Sequence, residues 1–401
     1  MTKKIIAKKN TKLIVILIVI SFVLNLVPNS NAATTITYDT HSTQSRTKEE
    51  IIQKYEELAP KFDYSNSIYS SNPNFFTPFQ EGKLQDGVVT DTLNQINYFR
   101  WLYGINSVSI NQEKQDRSQK GAFIQTVNDD GNHPIDHTPS KPEGMEDTFY
   151  NEAYLGSKAG YDEDDNKLFN GNIDWGELSP TNSIKNFISD LYNISEGSWV
   201  GHRLNVLELE ATEVSFGYCK KYTTLSMYYP YNANGGIVNT NNNDKFYAYP
   251  SAGYFPKQNF TTHEYWSFVP TEGFAKKDLN INDVSIEIEY DGKIYTQKPT
   301  GVEGIAGIEN KGERTYPAIV FELPQEVIDD LGGAWQEMPV TDIGIEIKGL
   351  KDTAGNNLIY KYTVNFFDIN ENTDPSSLKL GDVNGDGKIN ARDAKLVMQH
   401  F

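Results

Sequence analysis

A single cysteine in 401 residues, Cys219, has no partner in the chain. A disulfide framework is therefore excluded, folding rests on buried apolar area, and the thiol is expected to be buried and inert. Basic residues are also scarce: 36 Lys+Arg stand against 54 Asp+Glu, a formal charge of −18. So acidic a surface repels nucleic acid and anionic membranes. After residue 27 no stretch approaches the roughly 20 apolar residues of a membrane span. A GxSxG elbow, a Walker loop and a GxGxxG turn after a strand are all missing. The acids Asp162 to Asp165 read as a solvated run rather than a glycosidase pair.

What is present begins with a leader. Five lysines (Lys3, Lys4, Lys8, Lys9, Lys12) precede an apolar run from Leu13 to Leu24, followed by Pro28 and the small-x-small site Ser30-Asn31-Ala32. This pattern predicts a secretory signal peptide over 1–32, with no stable membrane span after its removal. The mature chain would carry 31 basic and 54 acidic residues.

The expected class is α+β, with helices early and strands late. Residues 33–84 form an N-terminal arm and helix, the arm (33–46) polar, aperiodic and expected to be mobile. Thr47-x-x-Glu50 is a capping box opening a helix that Pro60 ends. Further helices are expected from Asp91 to Gly104, from Gln112 to Thr126 and from about Ser179, then strands at 214–219 and 224–230. Over 251–369 the alternation of Val284, Ile286, Ile288 and Tyr290, the Asp291-Gly292 turn and later short strands predict an immunoglobulin-like β-sandwich. A linker, 370–377, leads to a separate unit, 378–401.

That unit holds Asp382, Asn384, Asp386, Asn390 and Asp393 at loop positions 1, 3, 5, 9 and 12, with Gly387 at position 6. The spacing offers hard oxygen donors to one Ca²⁺, with the Lys388 carbonyl at position 7. A loop ending in Asp, followed by a helix carrying Ala394, Val397, Met398 and Phe401, resembles the dockerin type I module. Dockerins attach secreted proteins to cohesin modules, so the resemblance implies a cohesin-type scaffold partner, with Ala391 and Arg392 at the partner-contacting positions. Dockerins carry two such repeats; one is visible here.

Among six histidines, His133 and His137 lie in NHPIDHTPSKPEGM and His202 in GSWVGHRLNVL. His-x-Pro at 137–139 and Gly-His-Arg-x-Asn-Val-Leu at 201–207, followed by Phe216-Gly217, resemble bacterial members of the CAP (SCP-like) superfamily over roughly 85–230, within an expected CAP-like domain at 85–250. The resemblance implies an α-β-α sandwich with a central cleft that holds His137 and His202. Its acids are less defined: Glu152 in YNEAY, with Asn172 as a polar alternative, and Asp190 for the second glutamate of the animal and plant members.

Two imidazoles and one acid can bind Zn²⁺ only if they converge within about 2.0 to 2.2 Å of the ion. In the alternative, both histidines are structural and Arg203 makes a buried ion pair. The leading expectation is a secreted modular protein whose cleft binds a cell-envelope, lipid or polymer ligand. The competing one is a metal-assisted extracellular hydrolase acting on peptide or polysaccharide polymers. Whether the chain is an enzyme stays open.

Overall fold

A computed structural model describes residues 34–131, 135–158, 160–164, 167–191, 193, 199–230, 244–271, 279–303 and 317–371. The signal-peptide segment, His133, the linker beyond residue 371 and the calcium loop with Asp382, Asn384, Asp386, Lys388, Asn390 and Asp393 lie outside the described residues. Among those described, no helix is long and apolar enough to cross a membrane.

The fold is α+β. Its first half contains β1 (Thr35–Tyr38), α1 (Lys48–Leu58), β2 (Tyr69–Ser71), β3 (Lys83–Leu84), α2 (Asp86–Tyr103), β4 (Ser109–Ile110), α3 (Gln115–Val127), α4 (Asp147–Ser157), β5 (Gly160–Asp164), β6 (Lys167–Trp175), α5 (Pro180–Ser189), α6 (Gly201–Val206), β7 (Glu213–Cys219) and β8 (Tyr222–Pro230). The second half contains β9 (Phe246–Tyr249), β10 (Gly253–Pro256), β11 (Trp266–Pro270), β12 (Ser285–Tyr290), β13 (Lys293–Gln297), β14 (Gly301–Glu303), β15 (Ala318–Phe321), α7 (Gln325–Asp330), β16 (Thr341–Lys351) and β17 (Asn357–Phe367).

The capping box closes as expected: Glu50 N–H donates to Thr47 Oγ1 at 3.2 Å and Thr47 N–H donates to Glu50 Oε2 at 2.8 Å. Helix α2 starts five residues before Asp91 and ends where Gly104 turns left-handed, φ 90°. Asp91 itself is buried and accepts the backbone N–H groups of Lys61 and Phe62, so it tethers the preceding loop rather than starting the helix.

A sheet of order β4-β7-β8-β6-β5 forms the middle layer of the helical half. Period-2 alternation divides its faces. Val214, Phe216, Tyr218, Leu225 and Met227 share a core with α2, α5 and α6, while Cys219 packs with Ala122, Phe123, Ile124 and Ala153 of α3 and α4. The second face is built for close approach: a Cβ on Gly217 would lie 2.2 Å from the Ser118 carbonyl oxygen, and one on Gly156 would lie 2.2 Å from that of Arg117. Below Val214, strand β7 has no strand neighbour on its β4 side among the described residues, and two glutamines of α3 bond its backbone there. Gln119 donates to Tyr218 O (2.8 Å) and accepts from Tyr218 N (3.0 Å), and Gln115 donates to Phe216 O at 2.7 Å. Four helical residues rise about 6.0 Å and two strand residues about 6.8 Å, so the two amides meet alternate strand residues. Cys219 is buried as expected, and burial pushes its thiol up to about 11.

Two sheets make the second unit. One has the order β1-β17-β16-β12-β13, with β10 also paired to β17; the other has the order β14-β15-β11-β9. Aromatic rings meet between them: Phe268 on Tyr360 at 5.0 Å, Phe246 on Tyr362 at 5.5 Å and Trp266 on Phe366 at 6.2 Å. The sandwich differs from the expected immunoglobulin-like domain. It is not assembled from residues 251–369 alone, because β9 pairs with β11 and β1 pairs with β17 from the far end of the chain. Both β1 and β10 run parallel to β17.

The N-terminal arm is correspondingly ordered, not mobile. Thr35–Tyr38 pair with Asn357–Tyr360, and His41 is buried, 3.4 Å from the Asp244 carboxylate. Polarity misled here, since a short strand added to an existing sheet needs backbone hydrogen bonds more than an apolar face.

Candidate functional site

The loop after α3 and the end of α4 set His137. Gln125, near the end of α3, exchanges hydrogen bonds with the Asp136 backbone, donating to its carbonyl at 2.6 Å and accepting from its N–H at 2.9 Å. His137 Nδ1 lies 2.8 Å from the Ser157 carbonyl. Since a carbonyl only accepts, Nδ1 carries the proton and Nε2 is left as an acceptor. The chain leaving α4 runs so close to β6 that a Cβ on Gly171 would sit 2.2 Å from the Lys158 carbonyl oxygen. Gly171 thus brings the His137 support against the strand that carries Asn172.

His202 arrives from the opposite layer, in the first turn of α6. Helix α5 ends at Asp190, whose left-handed backbone (φ 56°) turns its carboxylate toward α6. Asp190 Oδ1 lies 2.8 Å from His202 Nδ1, and its Oδ2 accepts the Arg203 N–H at 3.1 Å. Asn172 donates to the His202 carbonyl at 3.0 Å and accepts from Asn205 Nδ2 at 2.6 Å. Arg203 is fully buried, donating to the carbonyls of Ile188 (2.5 Å), Ser189 (3.0 Å) and Tyr265 (2.6 Å), and it sits 3.7 Å from Glu264.

The two rings share an electrostatic environment with opposite outcomes. Burial lowers His137 from its ordinary 6.5, the Ser157 carbonyl opposes this, and the charge of nearby His202 lowers it further. Burial also pulls His202 down, but the hydrogen bond and charge of Asp190, with Asp174 and Glu303 behind it, more than offset that, and the ring is raised above 6.5. The two imidazoles are thus pulled apart in proton affinity, His202 upward by its acids and His137 downward by burial.

The acids divide differently from the sequence reading. Asp190, the lesser candidate, is the partner of His202. Glu152 pairs instead with Arg117, at 2.9 Å and 3.3 Å, in a half-exposed ion pair between α3 and α4. Two acids were missed. Asp174 lies two residues beyond Asn172 on β6, a placement that alternation along NGNIDW could have shown. Glu303 comes from the sandwich, where it accepts the N–H groups of Trp199 (2.7 Å) and Val200 (3.3 Å), and no local signal marks it.

Zinc does not fit this donor set. Among the described residues no group of three His, Cys, Asp or Glu side chains converges as metal ligands, and the one acid on the pair, Asp190, is held by His202 Nδ1 and the Arg203 N–H.

Residues 356–401 match the Dockerin type I domain. The dockerin segment identified from the calcium loop thus stands on the family comparison as well. The described start of this stretch is β17, paired with β16, β1 and β10, so Asn357–Phe367 serve as a sandwich strand and leave the loop-helix unit to later residues. No curated protein matches the chain. Among solved structures, the chain is similar to an extracellular protein containing a SCP domain from Bacillus anthracis str. Ames, at 16% identity, over 37% of this chain and 42% of that one, with a TM-score of 0.26. The chain therefore spans less than half of that neighbour's length, and at so low a TM-score the likeness carries no argument about the site.

Proposed function

We propose that this is a secreted, scaffold-docked protein whose terminal calcium loop engages a cohesin-type partner and whose His137–His202 cleft binds an extracellular polar ligand or envelope component. The dockerin match at 356–401 carries the reading, supported by oxygen-bearing side chains at five loop positions with glycine at the sixth. Asp382, Asn384, Asp386, Asn390 and Asp393, with the Lys388 carbonyl, are the residues that would hold Ca²⁺; the bound ion would rigidify the loop that presents Ala391 and Arg392. The basic and apolar leader over 1–32 supports export.

For the cleft, the accepting Nε2 of His137 and the raised imidazole of His202 suit a ligand that both donates and accepts hydrogen bonds, such as a hydroxyl. A hydrolase would instead use the two imidazoles as general acid and base on a water; binding leads because it asks only for hydrogen bonding.

The test uses the full chain and immobilised type I cohesin modules. Binding is expected in calcium and lost in EDTA, and Asp382→Ala with Asp386→Ala should weaken it at least about 100-fold, since two of the few ligand positions go. Failure to bind any cohesin of the panel, or binding that survives EDTA, would overturn the docking role. Unchanged ligand capture from envelope extracts by His137→Gln and His202→Gln would remove the cleft from the reading.

A further inference from the structure

The sandwich holds a second concave feature, independent of the cleft and of the docking segment. A cavity of about 270 Å³ opens beside β13, β15 and α7, lined in part by His263, Gln297, Thr300, Glu322 and Gln325. This is below the roughly 300–1,000 Å³ of pockets for drug-sized ligands, so it has room for one small ring. Its charges oppose each other: Lys298 and Glu322 both line it, and Lys298 Nζ is tied to the carbonyls of Asn282 (2.7 Å) and Val284 (3.1 Å). The lining therefore favours an uncharged, hydroxyl-rich molecule over an anion or a cation.

Two features stand at the edge of this cavity. His263 Nδ1 is buried and has no hydrogen-bond partner among the described residues. Such an atom is costly unless something pairs with it. The His263 ring also packs 4.7 Å from the ring of Trp335, which is 55% exposed and held at φ 65°. A bulky residue in the left-handed region is a true outlier, and such strain persists only where the surroundings enforce it. Thr262 enforces it: its N–H donates to Gln336 O at 2.8 Å and its hydroxyl to Gly333 O at 2.6 Å, pinning the loop on both sides of the indole.

We propose that this cavity and Trp335 form a binding site for a neutral saccharide unit. The C–H face of the sugar ring would lie on the indole, an apolar platform with a polar edge. Its hydroxyls would pair with the His263 imidazole, the Thr300 hydroxyl and the Glu322 carboxylate.

The experiment is calorimetric titration of the full chain, with tryptophan fluorescence in parallel, using glucose, xylose, N-acetylglucosamine and their β-1,4-linked dimers. At least one should bind. Trp335→Ala should weaken that sugar tenfold or more, Trp335→Phe should weaken it less, and Glu322→Gln should weaken it severalfold. Phe76→Ala, at an exposed aromatic outside the sandwich, should leave it unchanged. Trp335→Gly relieves the backbone strain, so it should melt no lower than the wild type while losing the sugar. Absence of binding by any of the six sugars, or wild-type affinity in Trp335→Ala, would overturn the proposal.

Discussion

The two cleft histidines should titrate in opposite directions from their common reference. His202 is raised, so the free energy it contributes is fully present below about 6.5 and is lost as pH rises through its folded value. His137 is lowered, so its contribution is present above about 6.5 and is lost as pH falls through its folded value. Histidine NMR titrations should place the two resonances on either side of 6.5. In Asp190→Asn only the charges of Asp174 and Glu303 still oppose the burial of His202, and its value should fall. Removing the neighbouring charge in His202→Gln should raise His137. Two rings that titrate together, untouched by either substitution, would show that they do not share a site. The sequence singles out both histidines because GHRLNVL and HTP are recognisable. The acid was less legible, since Asp190 acts only through the left-handed turn that ends α5, and Glu152 is drawn away by Arg117, a contact with no signature in its own segment.

At the scale of elements, the central sheet depends on two unlike faces. The face toward α2 and α5 is apolar, and its alternation made β7 and β8 readable to within one or two residues. The face toward α3 is Ser215, Gly217, Thr224 and Ser226, opposed by Ser118 and Gln119, so hydrophobic periodicity does not mark it. Ser118 and Ser215 hydroxyls lie 2.7 Å apart, and Thr224 donates to the Ser118 carbonyl at 2.6 Å. Removing even one methyl's worth of space should be felt: Gly217→Ala forces the helix off the strand and is expected to cost about 2–3 kcal/mol in urea unfolding. Ala at Gly292, a hairpin position with nothing within 4 Å, tests the other glycine role, in which left-handed backbone alone sets a cost of about 1 kcal/mol. Equal costs at the two sites would mean that close packing of α3 contributes nothing.

For the molecule as a whole, the helical half and the sandwich are joined beneath the cleft by Arg203. Its guanidinium holds the end of α5 through Ile188 and Ser189, reaches Tyr265 in the sandwich, and lies 4.8 Å over the Tyr249 ring beside Glu264. Burial pushes the Glu264 carboxyl up to about 8 against the pull of Arg203. Glu303 adds a second tie by accepting the N–H groups just before α6. Neither tie was legible: a boundary drawn at residue 250 follows composition, whereas one sheet of the sandwich takes β9 from before it and the other takes β1 from Thr35–Tyr38. With these contacts shared, the two halves should unfold in one calorimetric transition. Arg203→Met keeps the aliphatic stem but strips three carbonyls and a buried carboxyl of their donor, at an expected cost of about 3–5 kcal/mol. The same variant should split the transition in two, because the sandwich retains its aromatic core while the cleft wall loses its support. Adding Glu264→Leu removes the stranded carboxyl and should restore about 1–2 kcal/mol. A wild-type protein that already melts in two steps, with Arg203→Met moving only the first, would instead make Arg203 a local brace of α5 and α6.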